Sequence, residues 1–304
     1  MSRENITNIA ASVRQKLLNL ARHDRRPFNE LLQYYAMERF LYRLSCSEHA
    51  DLFILKGAMM LRIWHADAYR PTMDIDMLGR TSNDPVAIAQ QVRQIIGAEV
   101  QPDGLMFLPE TITCRNITED ADYRGVRVRF NGLLDTARIT MQLDIGFGDI
   151  VYPAPETNRL PTFLDQPAPK LLCYSKESAI SEKFEAMLNL RELNSRMKDF
   201  YDIWQLSRQS DFDGMKLSRA IQETLAHRNT AIDLDFLAFS KTFSNNRQPQ
   251  WKAFVSRLKL EHVSTQFEDI LAQIRPFLLP IAEASVNNRE FSQKWLAPGP
   301  WIKE

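Results

Sequence analysis

The sequence has few cysteines and no long apolar run, and each of these absences excludes a class of protein. Three cysteines in 304 residues, Cys46, Cys114 and Cys173, are too few and too scattered for a disulfide framework or a zinc site, so we expect buried thiols. No apolar segment follows the charged residues at the start of the sequence, and none is long enough to cross a bilayer. We therefore expect a cytoplasmic protein without a membrane partner.

The sequence also has no net charge. Its 38 basic and 38 acidic residues cancel, which argues against a protein that coats nucleic acid nonspecifically but leaves room for a local basic groove. The five histidines show no ligand spacing. With 44% hydrophobic and 25% charged residues, the chain can bury a sizeable core, and its length predicts about two domains.

The most informative stretch is RPTMDIDML, residues 70–78. Because alternate side chains of a β-strand point to opposite faces, a strand here separates polar from apolar residues. The polar face carries Arg70, Thr72, Asp74 and Asp76, and the apolar face, which we expect to meet a core, carries Met73, Ile75 and Met77. Two carboxylates at this spacing repel each other, so the pair favours a bound divalent cation.

The residues before this stretch predict a phosphate-binding turn. Residues 52–55 have the composition of a buried strand that ends at Lys56-Gly57, and residues 58–64 have the pattern of a helix. Together with the strand that follows, they are expected to form a βαβ unit. A glycine at a helix N-terminus, next to a strand with two carboxylates, can bind a triphosphate and its metal.

A third acid lies on a later strand. Residues 126–130 alternate apolar side chains with arginines, and after a turn near Asn131-Gly132 a second strand is predicted over about 138–145. Along that strand Asp144 points away from its apolar neighbours. If the strand lies beside the one that carries the two aspartates, Asp144 becomes the third carboxylate of one cluster.

Helices are predicted on both sides of these strands. The first three cover about residues 5–20, 27–44 and 85–96. Residues 151–170 hold five of the fifteen prolines and predict a linker or an extended strap. Beyond it the pattern is helical to the end, with helices at about 176–193, 195–207, 215–227, 250–260 and 265–284.

The first two of these later helices carry a second polar set. Lys183 lies at the edge of the apolar stripe of its helix, where its stem can pack while its ammonium projects outward. Asp199 lies on the inward face of the next helix, with Asp202 one turn further round. Inward carboxylates need cationic partners. The candidates are Lys183, Arg191 and Lys198.

In their order along the chain, these pieces resemble the AbiEii/AbiGii family of nucleotidyltransferase-type toxins, whose fold is similar to that of the DNA polymerase β superfamily. The matching pieces are Leu55–Ala58, Arg70–Asp76, Leu143–Gly146, Ser178–Phe184 and Arg196–Asp202. The sequence departs from the family at one place. Ala58 and Met59 stand where family members usually carry a second glycine and a small hydroxyl residue.

The resemblance implies an α+β fold, with a polymerase β-like nucleotidyltransferase core, a mixed sheet flanked by helices, followed by a C-terminal helical domain. We expect N-terminal helices over residues 1–50 and the core over 51–150. A Pro-rich linker over 151–170 then leads to the helical domain over 171–304, which completes the active-site cleft.

The resemblance also implies roles for the residues singled out above. Asp74, Asp76 and Asp144 are expected to hold Mg²⁺, with Mn²⁺ as the alternative. Lys183 is expected to neutralise the triphosphate, and Asp199 to orient Lys183 or the base. Nucleotide or phosphate contacts are expected from Lys56, Gly57, Ala58, Arg70, Thr72, Lys183, Arg191 and Asp202. The alternative for Arg70 and Thr72 is pairing with the aspartates, and for Lys183 and Asp199 it is a structural ion pair.

The leading functional hypothesis is an NTP-dependent, Mg-assisted nucleotidyltransferase that modifies RNA at the tRNA acceptor end. It would block translation as the toxin of a toxin–antitoxin or phage abortive-infection system, with a winged-helix-type antitoxin encoded nearby. The alternatives are nucleotidylation or another phosphoryl transfer to a protein, and a non-catalytic NTP- or partner-binding protein. Expected RNA contacts are the strand arginines Arg124, Arg127 and Arg129, and, as a second choice, Arg22, Arg25, Arg26, Arg39 and Arg43.

Overall fold

The computed structural model describes residues 8–64, 70–119 and 123–303, and the side chains of residues 118, 119, 123 and 124 lie outside this description. The chain forms two compact units. The first comprises the residues up to 148 together with 156–173, and the second comprises 149–155 and the residues from 174 onward. The chain therefore passes between the units three times.

The first unit combines four helices with seven strands in the described residues. In chain order they are α1 (Ile9–His23), α2 (Phe28–Ser45), β1 (Phe53–Lys56), α3 (Met59–Ile63), β2 (Ile75–Gly79), α4 (Pro85–Ile96), β3 (Leu105–Glu119), β4 (Tyr123–Leu134), β5 (Ala137–Phe147), β6 (Glu156–Arg159) and β7 (Lys170–Cys173). The three predicted helices are confirmed, except that residues 5–7 of the first lie outside the described residues. Helix α4 begins where its sequence predicts, because Asp84 caps it and Pro85 occupies its first turn.

The seven strands form one mixed sheet in the order β3-β4-β5-β2-β1-β7-β6. Strand β2 runs antiparallel to β1 and parallel to β5. The expected mixed sheet flanked by helices is confirmed. The expected βαβ unit is wrong in direction, because β2 returns alongside β1 as an antiparallel neighbour and finds its parallel partner in β5.

Strand β2 is shorter than predicted. Its ladder begins with Ile75 opposite Leu143, so the two-residue alternation of a paired strand does not extend back to Met73. The side chain of Met73 is accordingly 57% exposed, whereas Ile75 and Met77 are buried as expected. The expectation that Met73 faces the core is wrong.

The hairpin between β4 and β5 also turns later than predicted. Asn131 and Gly132 are paired within the ladder, opposite Thr140 and Ile139. The chain reverses after Leu134, where Asp135 adopts a φ of 54°. Aspartate tolerates this left-handed conformation because its short polar side chain can hydrogen-bond locally.

Helix α2 is mostly buried in the first unit and carries buried charges. Arg43 donates from Nη1 to Oδ2 of Asp103 over 2.7 Å, and Arg39 donates from Nη2 to the carbonyl of Pro167 over 2.9 Å. Their exposed fractions are 7% and 1%. Burial therefore removes Arg39 and Arg43 from the candidate RNA contacts, and makes their role structural.

A second buried pair connects α2 to α3. Glu38, which is fully buried, accepts a hydrogen bond of 2.7 Å from Nη1 of Arg62 and one of 3.3 Å from the backbone amide of Phe163. Arg62 also donates from Nη2 to the carbonyl of Pro161 over 2.7 Å. Burial raises the pKa of Glu38, and the charge of Arg62 acts in the opposite direction. Either partner alone would be a buried, uncompensated charge.

The Pro-rich segment contains an edge strand that its sequence did not predict. Strand β6 pairs with β7, and β7 pairs in parallel with β1 through Leu55 and Cys173. Cys173 is buried, and burial raises the pKa of its thiol to about 12. The expectation of three buried thiols is wrong for Cys46, which is exposed, and for Cys114, which is half-buried.

The second unit is mainly helical. Its elements are α5 (Lys176–Leu190), α6 (Met197–Gln209), β8 (Phe212–Asp213), α7 (Gly214–His227), α8 (Lys241–Leu258), α9 (Phe267–Val286), β9 (Gln293–Trp295) and β10 (Trp301–Lys303). All five predicted helices are confirmed, although α8 starts earlier, at a cap formed by Ser240, and continues through Pro249. None of the described helices has the length and apolarity that a membrane span needs.

The prediction of helix to the end of the chain is wrong. The last two strands, β9 and β10, join β8 in a small antiparallel sheet in the order β10-β9-β8. Aromatic side chains hold it against α9. Phe277 stacks on Trp301 with ring centroids 5.7 Å apart and meets Trp295 edge-on at 4.9 Å. This packing makes both tryptophans anchors of the small sheet rather than a free stacking platform.

Candidate functional site

The pairing of β2 with β5 brings the three predicted acids together. Asp76 lies directly opposite Asp144 in this parallel ladder, and Asp74 precedes the first residue of β2. One carboxylate oxygen from each of Asp74, Asp76 and Asp144 lies within 4.8 Å of the others. The prediction that Asp144 joins the two aspartates is therefore confirmed, and the cluster belongs entirely to the first unit.

The register extends this pair into a row of charged residues across five neighbouring strands. In spatial order from β3 to β1, the row consists of Arg115, Arg127, Asp144, Asp76 and Lys56. Directly opposite residues share one face of a sheet and lie close enough to interact. The two acids in the middle of the row consequently have cationic residues on both sides.

Asp144 is held by two side chains on its own face of the sheet. Arg127 donates from Nε to Oδ1 and from Nη2 to Oδ2, each over 2.7 Å. Gln142 donates from Nε2 to Oδ2 over 3.2 Å. The Gln142 amide is fixed in turn, because its Oε1 accepts hydrogen bonds of 2.9 and 2.8 Å from Arg129. The carboxylate of Asp144 is thereby fixed in the plane of a bidentate ion pair.

Thr72 orients the carboxylate of Asp74. Its hydroxyl donates to Oδ1 of Asp74, and its backbone amide donates to the hydroxyl of Tyr34 over 3.1 Å. The amide of Gln33 on α2 donates to the carbonyl of Met73 over 3.1 Å. Thr72 is buried, which matches the alternative in which it pairs with an aspartate. Arg70, the other residue of that alternative, is also buried.

Gly57 provides the space that Asp76 occupies. Its φ is +72°, and a Cβ built there would lie 1.9 Å from Oδ2 of Asp76. The helix that follows starts close to the expected position, but α3 has only five residues. Ala58 and Met59, the two residues after Gly57, are buried. The main structural effect of Gly57 is thus on the position of Asp76.

The second unit contains the other predicted polar set. Nζ of Lys183 lies 2.9 Å from Oδ1 of Asp199 and 3.1 Å from Oδ2 of Asp202, and both carboxylates are buried. The prediction that Lys183 partners the inward carboxylates is confirmed. Of the other candidates, Arg191 instead pairs with Asp233 at the surface, and Lys198 is exposed.

Sequence reasoning missed the role of Arg127 as the partner of Asp144. The signal was present in the alternation, because Arg127 and Asp144 both point away from their apolar neighbours. Only the register of β4 on β5, which is set by the later turn at Asp135, brings the two residues opposite each other.

We predict that Gly57→Ala destabilises the first unit more than Gly148→Ala does. Both glycines have positive φ, so both variants incur about 1–2 kcal/mol of backbone strain, but a Cβ at Gly148 meets nothing within 4 Å. Urea denaturation measures both changes. In a double-mutant cycle, Asp76→Gly should remove the part of the destabilisation by Gly57→Ala that exceeds that of Gly148→Ala. A coupling energy near zero would show that the Asp76 side chain does not occupy the space beside Gly57.

The chain matches the family described as nucleotidyl transferase AbiEii toxin, Type IV TA system, over residues 39–273. Two solved structures are similar to it, a candidate nucleotidyltransferase from Helicobacter pylori and JHP933 from the same organism, each 13% identical with a TM-score of 0.43. The alignments cover 86% of this chain and 98% of the first structure, and 84% and 97% for the second. No curated protein matches.

The family match includes all three aspartates of the cluster as well as Lys183, Asp199 and Asp202. It covers well over half of the chain, and it implies an NTP as substrate and an antitoxin as partner. The chain belongs to the AbiEii family of nucleotidyl transferase toxins of Type IV toxin–antitoxin systems, and it is a nucleotidyltransferase.

Proposed function

We propose that this toxin uses a divalent cation to transfer a nucleotide from an NTP to RNA, at the acceptor end of tRNA, and so blocks translation. The observation that carries the proposal is the cluster of three carboxylate oxygens, from Asp74, Asp76 and Asp144, within 4.8 Å of one another. Growth arrest by this route would suit abortive infection as a defence against phage, with a winged-helix antitoxin as the regulator.

The cluster fits a hard cation such as Mg²⁺. Two ligand oxygens on one Mg²⁺ lie no further apart than twice the Mg–O bond length of ~2.1 Å. The three oxygens of the cluster lie within 4.8 Å of one another, so a small movement of the side chains would bring them to the separation that Mg²⁺ requires. The donors are all carboxylate oxygens, which Mg²⁺ and Mn²⁺ prefer over softer ligands. When bound, the cation would neutralise triphosphate charge and make the attacking hydroxyl more nucleophilic.

The other residues of the first unit support this site in two ways. Lys56 lies opposite Asp76 and is proposed to contact phosphate together with Gly57, Ala58 and Arg70. Thr72 holds Asp74 through its hydroxyl, so its proposed role is to orient a ligand rather than to grip the substrate. These residues prearrange charge before substrate arrives, which is the main protein contribution to phosphoryl transfer.

In the second unit, Lys183 is proposed to neutralise the triphosphate, with Asp199 and Asp202 orienting its ammonium. The hydrogen bonds of 2.9 and 3.1 Å support the orienting role. Arg191 is proposed as a further phosphate contact, since its pairing with Asp233 is at the surface and can exchange for a phosphate partner.

The decisive experiment incubates the purified protein with each labelled NTP and total RNA. We expect label in RNA from the wild type in the presence of Mg²⁺, and at least a 100-fold loss for Asp74→Asn or Asp76→Asn, since losing a metal ligand removes transition-state stabilisation. Removing one of the mutually repelling carboxylates should leave the melting temperature unchanged or raise it. Label in protein instead of RNA would favour the alternative acceptor, and inactivity caused only by unfolding would contradict the metal assignment.

A second experiment tests whether Lys183 binds nucleotide. Lys183→Met leaves two buried carboxylates without their cation and should lower the free energy of unfolding by about 3–5 kcal/mol. The substitution is therefore made in a background of Asp199→Asn and Asp202→Asn, where its introduction leaves no carboxylate unpaired. We expect the NTP affinity of the folded triple variant to fall at least tenfold relative to that background. Lys198→Met, an exposed lysine on the same helix as Asp199, is the matched control. An unchanged affinity would make Lys183 a structural ion pair only.

The structure also sharpens the proposed RNA contacts. The side chain of Arg124 lies outside the described residues, and charge reversal at Arg127 would place a second acid against Asp144. Arg129 is exposed on the same face as the acid cluster and is therefore the better candidate. Arg22 and Arg25, which are exposed, remain the second choice, whereas Arg26 is half-buried and pairs with Glu30.

We predict that Arg129→Glu weakens RNA modification at least tenfold but, because Arg129 reaches Asp144 only through Gln142, lowers NTP affinity less than threefold. It should also lower the slope of log affinity against log salt by about 0.7–0.9, because one phosphate contact is lost. Arg129→Lys, which keeps the charge, should retain most of the activity. RNA binding that does not depend on salt would contradict an RNA acceptor.

A further inference from the structure

We propose that Arg127 is a positioning residue that presents one oxygen of Asp144 to the metal. The inference rests on the proposed metal site and adds to it a residue from a neighbouring strand. Arg127 makes no contribution as a ligand, because a guanidinium has donors only and no lone pair to offer. Its effect must therefore pass through Asp144.

The two carboxylate oxygens of Asp144 accept different numbers of hydrogen bonds. Among the described residues, Oδ2 accepts hydrogen bonds from both Arg127 and Gln142, whereas Oδ1 accepts one from Arg127. Each carboxylate oxygen has two lone pairs. Oδ2 is thus saturated, and Oδ1 keeps one lone pair for a cation. The bidentate fork also fixes the plane of the carboxylate, so the remaining lone pair of Oδ1 has a defined direction.

The pairing of β4 with β5 fixes the position of Arg127 beside Asp144. It is the cross-strand neighbour of Asp144 in the β4–β5 ladder, with the side chain of Asp144 8% exposed and that of Arg127 25% exposed. A pair this well shielded is weakly screened by solvent, and its geometry is set by backbone pairing rather than by a flexible loop. Residues that orient metal ligands in this way typically contribute 10- to 100-fold in metal affinity.

An opposite role for Arg127 would be that of a counter-ion that the metal must displace. The two roles predict opposite changes in metal affinity when Arg127 is removed. If Arg127 positions Asp144, removing it weakens metal binding even though a positive charge is lost. If Arg127 only competes with the metal, removing it strengthens metal binding. A purely electrostatic role, in turn, would be preserved by lysine, which carries the same charge but has no planar fork.

The test titrates Mn²⁺ into the metal-free, full-length protein and follows free Mn²⁺ by electron paramagnetic resonance, without NTP or RNA. We expect Arg127→Met and Arg127→Lys each to weaken Mn²⁺ binding about 10- to 100-fold. Arg115→Met removes one positive charge from the same row without touching Asp144, and it should change the affinity less than threefold. Wild-type affinity in Arg127→Lys, or tighter binding in Arg127→Met, would overturn the inference.

Two further variants separate this inference from the site on which it rests. Asp76→Asn should abolish Mn²⁺ binding, and if it does not, or if the wild type binds no Mn²⁺, the proposed metal site itself fails. If Asp76→Asn abolishes binding but the Arg127 variants bind normally, only the positioning role fails. If Arg127→Met does not fold, the Mn²⁺ affinities of Arg127→Lys and Gln142→Leu test the positioning role instead. The latter removes one donor to Oδ2 and should weaken binding by a smaller factor.

Discussion

The candidate site depends on one electrostatically unfavourable contact, the parallel pairing that sets Asp76 opposite Asp144. Like charges directly opposite each other destabilise a sheet, so this register must be stabilised by other interactions. The structure supplies them from both sides of the pair. Arg127 neutralises Asp144 from β4, and Lys56 lies next to Asp76 on β1. Apolar packing below the same strands, through Ile75, Leu143 and Ile145, makes a one-residue slip costly, because it would bury the acids.

Helix α2 provides the rigid support for this arrangement. Its buried Gln33 holds the segment before β2, and its Tyr34 hydroxyl accepts from Thr72. The Glu38–Arg62 pair fixes α3, which follows Gly57, and Arg62 reaches the carbonyl of Pro161. These interactions involve buried polar groups, which are costly when unpaired and directional when paired. The position of the segment that carries Asp74, and that of the turn at Gly57 beside Asp76, are therefore determined by several buried partners rather than by the strand alone.

The sequence was sufficient for features that depend on local pattern. Asp84 and Pro85 marked the start of α4, and the alternation around Asp144 predicted a lone acid that points away from its apolar neighbours. It was insufficient where long-range pairing decides. The exposure of Met73 follows from where the ladder begins, the contact of Arg127 with Asp144 follows from the β4–β5 register, and the burial of Arg39 follows from a partner 128 residues away. The C-terminal strands are short, and their partner β8 is distant in sequence, so helical periodicity in the neighbouring segments obscured them.

The three passages of the chain between its two units limit how the protein can be divided. Strand β7 follows the first segment of the second unit along the chain, yet it pairs with β1 inside the first sheet. A fragment that ends near residue 150 would lack both β7 and β6, and the hydrogen-bonding edge of β1 would be exposed next to the acid cluster. Exposed edges of this kind recruit other strands and promote aggregation. An autonomous catalytic fragment would therefore have to retain residues through Cys173.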